Sequence, residues 1–399
     1  MRDILVLGAT GSIGSQTLDL LKYSSEYRLI GVSLRSHTEK LEPYLFYFPW
    51  LKIVAIEDEE SAKAFAQRHP SLQVIWGADV SLKLLRLRPE ADVVNALMGV
   101  AGLRPTLLAL RQGQDLMLSN KESLVLGSSL VRKELSTSKS HLYPIDSEHV
   151  GLAKLLKEAW RRGVPKSRIR QLIVTASGGS LRDLPKEEAL KASPEQVLRH
   201  PTWSMGKKIT VDSATLVNKG YEVIEASTLF SFPLSKIGAR ICRESLVHAE
   251  LVYAGEDGKD VRLVEYSPAD MKVAIAYALS RGTLSMHPVS AEDEEQLRKL
   301  HFGPVDEDFY PLFRNTIQMY EQFGNLGMIY YDALDAEAVS QFLSGRIPFA
   351  QLIEALRYLR ESFSPSSLPA LTEENLPALT EGAWKQAKQT LLKVRLFSR

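Results

Sequence analysis

Through the first 145 residues, short apolar runs alternate with longer stretches whose apolar positions have helical spacing. Ile4–Leu7, Leu29–Val32, Ile53–Ala55, Val74–Ile75, Val93–Ala96, Leu116–Leu118 and Leu142–Ile145 have the length and composition of buried strands. Thr17–Leu21, Glu60–Arg68 and Leu103–Arg111 lie between them and have the periodicity of helices. That alternation predicts a doubly wound parallel sheet in an α/β chain. After His149 the pattern changes. Ile169–Thr175 is strand-like and runs into a Ser-Gly-Gly turn, and Glu250–Tyr253 and Val261–Tyr266 alternate around Ala254–Gly258, which predicts an antiparallel hairpin. This middle part is α+β. From about Pro311 the spacing is helical throughout: Phe349, Leu352, Ile353, Leu356 and Leu359 share one face. Ser364–Leu379 is rich in Ser and Pro and predicts a linker, after which Trp384, Ala387, Leu391 and Val394 mark a last amphipathic helix.

Composition narrows the function classes. The 399 residues are 45% hydrophobic and 24% charged with a formal net charge of +1, so no global field recruits nucleic acid or an anionic membrane. Anions must be bound by local clusters. No apolar run approaches the roughly 20 residues that span a bilayer. A strand expected almost from residue 3 leaves no room for a leader, and Cys242 is the one cysteine, so neither an intrachain disulfide nor a Cys-rich metal site can form. A cytoplasmic protein is expected.

Gly8-Ala9-Thr10-Gly11-Ser12-Ile13-Gly14 follows the first strand and opens a helix. Glycines there let the backbone turn tightly against a pyrophosphate, and the helix N-terminus offers free N–H groups. The expectation is a dinucleotide site contacted by Gly8, Thr10, Gly11, Ser12, Ile13 and Gly14. NAD-preferring sites carry an acidic residue after the second strand, whereas Gly31–His37 holds none. Arg35, with Ser33, Ser36 or His37, suits a 2′-phosphate and favours NADPH.

Two acidic clusters follow. Asp146-Ser147-Glu148 comes straight after the run Leu142–Ile145. On an extended backbone Asp146 and Glu148 face the same way, toward the strand ends where α/β folds bind ligands. Equally, Asp146 or Ser147 is placed to cap a helix. In the second cluster, Ala214–Phe230 predicts a helix capped by Ser213, with Thr215, Asn218, Glu222 and Glu225 along one polar stripe. Gly220 within that helix costs about 1 kcal/mol relative to alanine, which suggests close approach of another group. Asp146, Glu148 and Glu222 together would offer hard oxygen ligands suited to Mg²⁺ or Mn²⁺ rather than zinc. Thr175–Ser180 is a strand end with a glycine turn, and with Ser213, Asn218 and Lys219 it could cage a phosphate. His200–Gly206 has no period, and exposed Trp203 and Met205 would suit either a flap over a ligand or, for Trp203, a domain contact.

GATGSIG, Ser119–Leu124 (SNKESL), IDSEH, TASGG, HPTWSMGKKITVDSAT and NKGYEVIEA occur in that order. The chain resembles the 1-deoxy-D-xylulose 5-phosphate reductoisomerases of the non-mevalonate isoprenoid pathway, strongly over residues 1–230 and more thinly afterwards. The resemblance implies an NADPH-binding Rossmann-like domain over 1–146, a catalytic domain over 147–285 that also carries a homodimer contact, a linker over 286–310, and a C-terminal α-helical bundle over 311–399. It implies divalent metal on Asp146, Glu148 and Glu222, and catalytic roles among Lys121, Glu148 and His200. Substrate contacts are implied for Ser147, Ser177, His200, Trp203, Ser213, Asn218, Lys219 and Glu222, and Asn120, Glu122 and Gly206 join the cofactor residues. The implied substrate is a phosphorylated ketose, rearranged by retro-aldol and aldol steps and then reduced by hydride from NADPH.

The chain departs from the family pattern at three places. Cys242-Arg243-Glu244-Ser245 stands for His-Pro-Gln-Ser, Ala269-Asp270-Met271 for Pro-Asp-Met, and Asp332-Ala333-Leu334-Asp335-Ala336 for Asn-Ala-Ala-Asn-Glu. Competing expectations are another NADPH-dependent sugar-phosphate oxidoreductase, and a non-catalytic NADPH-binding paralogue. Three clustered carboxylates repel one another without a cation, which argues against the latter.

Overall fold

The computed structural model describes residues 1–284, 295, 297 and 299–397, and part of the expected linker 286–310 lies outside the described residues. The chain divides into two compact units, Met1–Val150 with Asp270–Ser285, and Gly151–Ala269 with Met286–Arg399.

In the first unit all seven expected strands form: β1 (Arg2–Leu7), β2 (Tyr27–Leu34), β3 (Ile53–Ile56), β4 (Gln73–Trp76), β5 (Asp92–Asn95), β6 (Leu116–Leu118) and β7 (Leu142–Pro144). They make one parallel sheet in the order β4-β3-β2-β1-β5-β6-β7. Ile4, Leu5, Val6 and Leu7 are fully buried, as a central strand covered on both faces requires. The chain order reverses beside β1, which lies between β2 and β5, and ligands of such sheets bind beyond the strand ends at that point. Gly8 turns the chain there with φ +76°, and a Cβ on it would lie 2.7 Å from the Ala96 carbonyl oxygen. The helix Ser12–Leu21 follows; a Cβ on its Gly14 would come within 2.2 Å of Gly8 O.

Met271–Leu279, expected to belong with 147–285, instead packs against the Ser12–Leu21 helix in the first unit. Ile275, Ala278 and Leu279 join the core of Ile4, Val6, Leu18 and Val32, and the Arg281 guanidinium meets Asp115. A nearly all-apolar helix carries no periodic cue about which core it enters.

The second unit is built on a mixed sheet, β11-β10-β8-β9-β12, of β8 (Ile169–Ala176), β9 (Ile237–Cys242), β10 (Val247–Ala254), β11 (Asp260–Tyr266) and β12 (Phe302–Pro304). The β10–β11 pair is the expected hairpin. Leu172, Val174, Ala249 and Leu251 pack with Val223 and Ala226 of the helix Val217–Phe230. Behind that helix run Pro311–Leu343, broken at Gly324, then Phe349–Ser362 and Leu376–Phe397.

Three local expectations are corrected, and the close approach expected at Gly220 is found. The polar run Ala214–Phe230 is not one helix: Lys207–Thr215 ends at Leu216, which adopts φ +57°, and a second helix begins at Val217. Ser213 therefore lies inside the first helix rather than capping the second, and the Thr215 hydroxyl donates to Val211 O at 3.2 Å within it. The close approach at Gly220 is made by Thr316, whose Cβ would lie 2.7 Å from an added methyl, so helix packing explains that glycine. The last helix starts at Leu376, inside the expected linker, and Trp384 is exposed while Ala383 takes the buried position. Among the described residues, no helix is long and apolar enough to cross a membrane.

Candidate functional site

The first unit carries the glycine turn expected to meet a cofactor and the acidic cluster Asp146–Glu148. Gly8 and Ala9 both donate backbone N–H to Ser33 O at 2.9 Å, which fixes the turn, and Gly11 and Ser12 stand exposed at the start of the Ser12–Leu21 helix. No side chain caps that helix and its first turn holds no acidic residue, so its N–H groups and dipole face outward for an anion. Thr10 and Ile13 are partly buried in the same turn. Arg35 is exposed directly after β2. Of its expected helpers, Ser33 is buried and bonded to Ser81 at 2.8 Å, and His37 pairs with Glu39 at 3.0 Å, which leaves Ser36 as the neighbour open to a phosphate.

Asn120 is 1% exposed and works inside the protein. Its side chain accepts from Ser123 N, capping the helix Lys121–Leu126, and donates to Leu97 O, Gly99 O and Glu122 Oε2 at 2.9–3.0 Å. It thereby holds the loop after β5 at the point where the strand order reverses. Lys121 Nζ lies 3.1 Å from Asp146 Oδ2.

Of the two sequence readings of Asp146, the cap is the one its contacts show. Its Oδ1 accepts from Glu148 N at 3.2 Å, at the start of the helix Ser147–Arg161, and from His149 Nδ1 at 2.8 Å. Glu148 stands in the first helical turn, so the argument from strand alternation fails: the strand ends at Pro144. The Ser147 hydroxyl donates to Glu148. His149, fully buried, was not foreseen. Its place three residues after Asp146 was the available signal, since i and i+3 are neighbours on a helix.

The second unit carries the hydroxyl, imidazole and amide elements. Ser177 ends β8 and its hydroxyl oxygen contacts His200 Nε2 at 3.0 Å and accepts from Gly179 N at 3.1 Å. His200 Nδ1 accepts from Trp203 N at 2.9 Å and Thr202 N at 3.2 Å, so the proton belongs on Nε2 and is donated to Ser177. With two donors on its oxygen, the Ser177 O–H is left to point at an acceptor elsewhere. Burial, with the Arg182 charge adding to it, holds the His200 pKa below the ordinary imidazole value, in keeping with a neutral ring. Arg182, unnoticed in the sequence, donates to Ser177 O and Arg243 O, both at 2.7 Å.

A Cβ on Gly179 would lie 2.7 Å from Ser213 O, so the glycine turn rests on the end of the Lys207–Thr215 helix and brings Ser177 near Ser213. Beyond the break at Leu216, Asn218 Nδ2 donates to Glu222 Oε1 at 2.6 Å and the Lys219 ammonium pairs with Glu222 Oε2. Lys219 and Glu222 are 4% and 2% exposed, so this is an interior ion pair. Trp203 and Met205, expected to be exposed, are half-buried, and Trp203 makes an edge contact with His248 at 6.0 Å between centroids. Gly206 caps the Lys207–Thr215 helix. Of the departing residues, Arg243 pairs with Asp183, Glu244 with His301 at 2.7 Å, and Cys242 is buried.

Three family models match in succession. Residues 4–128 match 1-deoxy-D-xylulose 5-phosphate reductoisomerase, 142–230 match the C-terminal domain of that enzyme, and 266–380 match the DXP reductoisomerase C-terminal domain. The reductoisomerase of Geobacillus kaustophilus is 36% identical over 376 residues, 94% of this chain and 96% of that protein. That of Thermotoga maritima is 36% identical over 378 residues, covering 94% and 93%. Among solved structures, a DOX-P reductoisomerase in complex with NADPH, fosmidomycin and magnesium superposes with a TM-score of 0.86 at 27% identity, covering 99% of both chains. The Zymomonas mobilis enzyme in complex with NADPH gives a TM-score of 0.83 at 28% identity over 98% and 99%.

Proposed function

The chain belongs to the 1-deoxy-D-xylulose 5-phosphate reductoisomerase family, and from that premise we propose how its residues carry out the family's reaction. The enzyme converts 1-deoxy-D-xylulose 5-phosphate to 2-C-methyl-D-erythritol 4-phosphate in isoprenoid biosynthesis, using NADPH and a divalent metal. When bound, the cation supplies Lewis acidity at substrate oxygens and NADPH supplies the hydride.

The donor chemistry fits both groups. Asp146, Glu148 and Glu222 offer only carboxylate oxygens, the ligand type of Mg²⁺ and Mn²⁺. Glu222 is a charge kept in the interior, which is costly unless cations neutralise it. The uncapped helix after Gly8–Gly11 fits a pyrophosphate, and Arg35 with Ser36 fits a 2′-phosphate.

Ser177, Ser213, Asn218 and Lys219 hold the substrate phosphate. Asn218 and Lys219 both donate to Glu222. Were Glu222 to hold a cation, Asn218 and Lys219 would be released to the anion, and metal and phosphate affinities would rise together. His200 holds Ser177 through Nε2–H, and Trp203 with the rest of His200–Gly206 closes over the substrate and excludes water. Lys121, beside Asp146, supplies a positive charge for substrate oxygens on the acidic side. We place the enzyme in the cytoplasm as a homodimer; the single buried thiol suits a reducing compartment.

The observation that carries this reading is the Asn218–Glu222–Lys219 group, a buried carboxylate held by two anion donors. With purified protein, 1-deoxy-D-xylulose 5-phosphate and Mg²⁺ or Mn²⁺, NADPH should be oxidised and EDTA should stop it. Lys219→Ala should raise KM roughly 10- to 100-fold, the worth of one charge-assisted hydrogen bond, with a smaller effect on kcat. EDTA-insensitive oxidation would favour a plain sugar-phosphate dehydrogenase, and an unchanged KM would remove Lys219 from the phosphate site.

A further inference from the structure

Lys208, Asp212 and Asp335 form a buried charge cluster apart from the residues given to substrate, cofactor and metal. Lys208 Nζ lies 2.7 Å from Asp212 Oδ2 and 2.5 Å from Asp335 Oδ2. Asp212 and Asp335 are 6% and 1% exposed, and the Oδ1 of each has no hydrogen-bond partner among the described residues. The other titratable groups facing them are Asp332, which accepts from the Tyr221 hydroxyl at 3.2 Å, Tyr221 itself, and Tyr331, whose hydroxyl is bonded to Thr316 at 3.0 Å. The Lys208 ammonium stands 5.7 Å from the centre of the Tyr221 ring. One ammonium therefore serves a set of carboxylates, two of them in direct contact with it. Buried carboxylates sharing one cation cannot all ionise, and the outcome is a retained proton.

The cluster also joins two elements. Lys208 and Asp212 belong to the Lys207–Thr215 helix, and Asp335 to Pro311–Leu343, which packs against it. The first of these follows the loop His200–Gly206 and carries Ser213, against which the Gly179 turn rests.

We infer that Asp212, which shares the Lys208 ammonium with Asp335, retains a proton, and that the three residues form a proton-dependent clasp, a set of positioning residues that holds the Ser213-bearing helix on the C-terminal helix. Burial, and after it the charge of Asp335, holds the Asp212 carboxyl well above the usual carboxylate range. For Lys208 burial works against the charge, but Asp212 and Asp335 overturn it, so the ammonium persists well above its ordinary range. A folded-state carboxyl pKa raised above the unfolded value gives stability that is whole below the unfolded pKa and lost as pH rises through the folded one. The clasp therefore loosens toward alkaline pH, and substrate affinity loosens with it. The second consequence rests on the role proposed for Ser213; the first does not, so the two can fail separately.

The test uses the full-length protein, Asp335→Asn and Asp212→Asn. Asparagine at 335 is the residue that the family pattern expects, and it removes the charge while keeping the size of the side chain. From about pH 6 to about pH 9 the wild-type Tm should fall and its KM for 1-deoxy-D-xylulose 5-phosphate should rise several-fold with kcat little changed, while both profiles flatten in Asp335→Asn. Asp212→Asn should flatten the Tm profile likewise. An Asp335→Asn Tm profile that still falls like the wild type overturns the clasp. A flat Tm profile with an unchanged KM profile keeps the retained proton and overturns the link to Ser213. Infrared spectroscopy of the wild type at neutral pH gives a check that needs no variant to fold: a protonated, buried carboxyl band is expected, and its absence overturns the retained proton.

Discussion

Glu222→Gln should abolish turnover while leaving NADPH binding intact. The substitution keeps the volume of the side chain and removes its charge, and with it an oxygen ligand suited to a hard cation. Lewis-acid stabilisation is worth several kcal/mol, and each 1.36 kcal/mol is a factor of ten, so kcat/KM should drop on the order of 10³-fold or more. The same change breaks the interior pair with Lys219. Breaking such a pair typically costs about 3–5 kcal/mol, so the melting temperature should fall as well. Glu222→Asp separates the two effects: it returns the charge to Lys219 with a shorter reach, so stability should partly recover while turnover stays low. NADPH titration by fluorescence checks that the first unit is untouched. Near-normal turnover by Glu222→Gln would remove Glu222 from the metal ligands, and loss of NADPH binding would show that its role is not with the metal.

Gly14→Ala should be the most damaging change in the cofactor half. Its Cβ would sit 2.2 Å from Gly8 O, 2.7 Å from Ala9 Cα and 2.8 Å from Ala9 C, all of them backbone atoms that no rotamer change can withdraw. The helix Ser12–Leu21 must then shift away from the Gly8 turn, at a cost of roughly 1–3 kcal/mol for overpacking. If that helix N-terminus holds the pyrophosphate as proposed, the shift would withdraw it, and the loss of two charge-assisted N–H bonds would weaken NADPH by at least about 100-fold. Thermal denaturation and NADPH titration read the two losses separately. Wild-type affinity in Gly14→Ala would mean that this turn is not the phosphate cradle.

The contrast between these two residues reflects what a sequence can hold. The cofactor half was legible because its signals are local. A strand with Ile4–Leu7 fully buried, a glycine turn and a helix start follow one another within Arg2–Leu21, and each has its own compositional mark. The chemistry of Asn218, Lys219 and Glu222 was legible as residue types, since a stripe with an amide and acids is unusual on a solvated helix. Its exact frame was not. Leu216 adopts a left-handed conformation that leucine rarely takes, so the helix break before Val217 carried no glycine or asparagine to announce it. Met271–Leu279 was misplaced for a related reason: it is apolar but for Lys272, so periodicity could not assign it to a core. Arg182 acts on backbone carbonyls and Lys208 reaches Asp335 far along the chain, pairing that leaves no spacing to read, whereas Lys208 and Asp212 stand at i, i+4. His149 differs, because Asp146 and His149 advertised their pairing by an i, i+3 offset.

The central claim is that this chain rearranges a carbon skeleton before it reduces it, and the most direct measurement follows the carbon atoms. Substrate labelled with ¹³C at C3 and C4 shows a one-bond coupling between them. The rearrangement breaks C3–C4 and joins C4 to C2, so both labelled carbons end on C2 and that coupling should vanish in the product as NADPH is consumed. A product that keeps the C3–C4 coupling would be a simply reduced ketose, and would contradict the assignment.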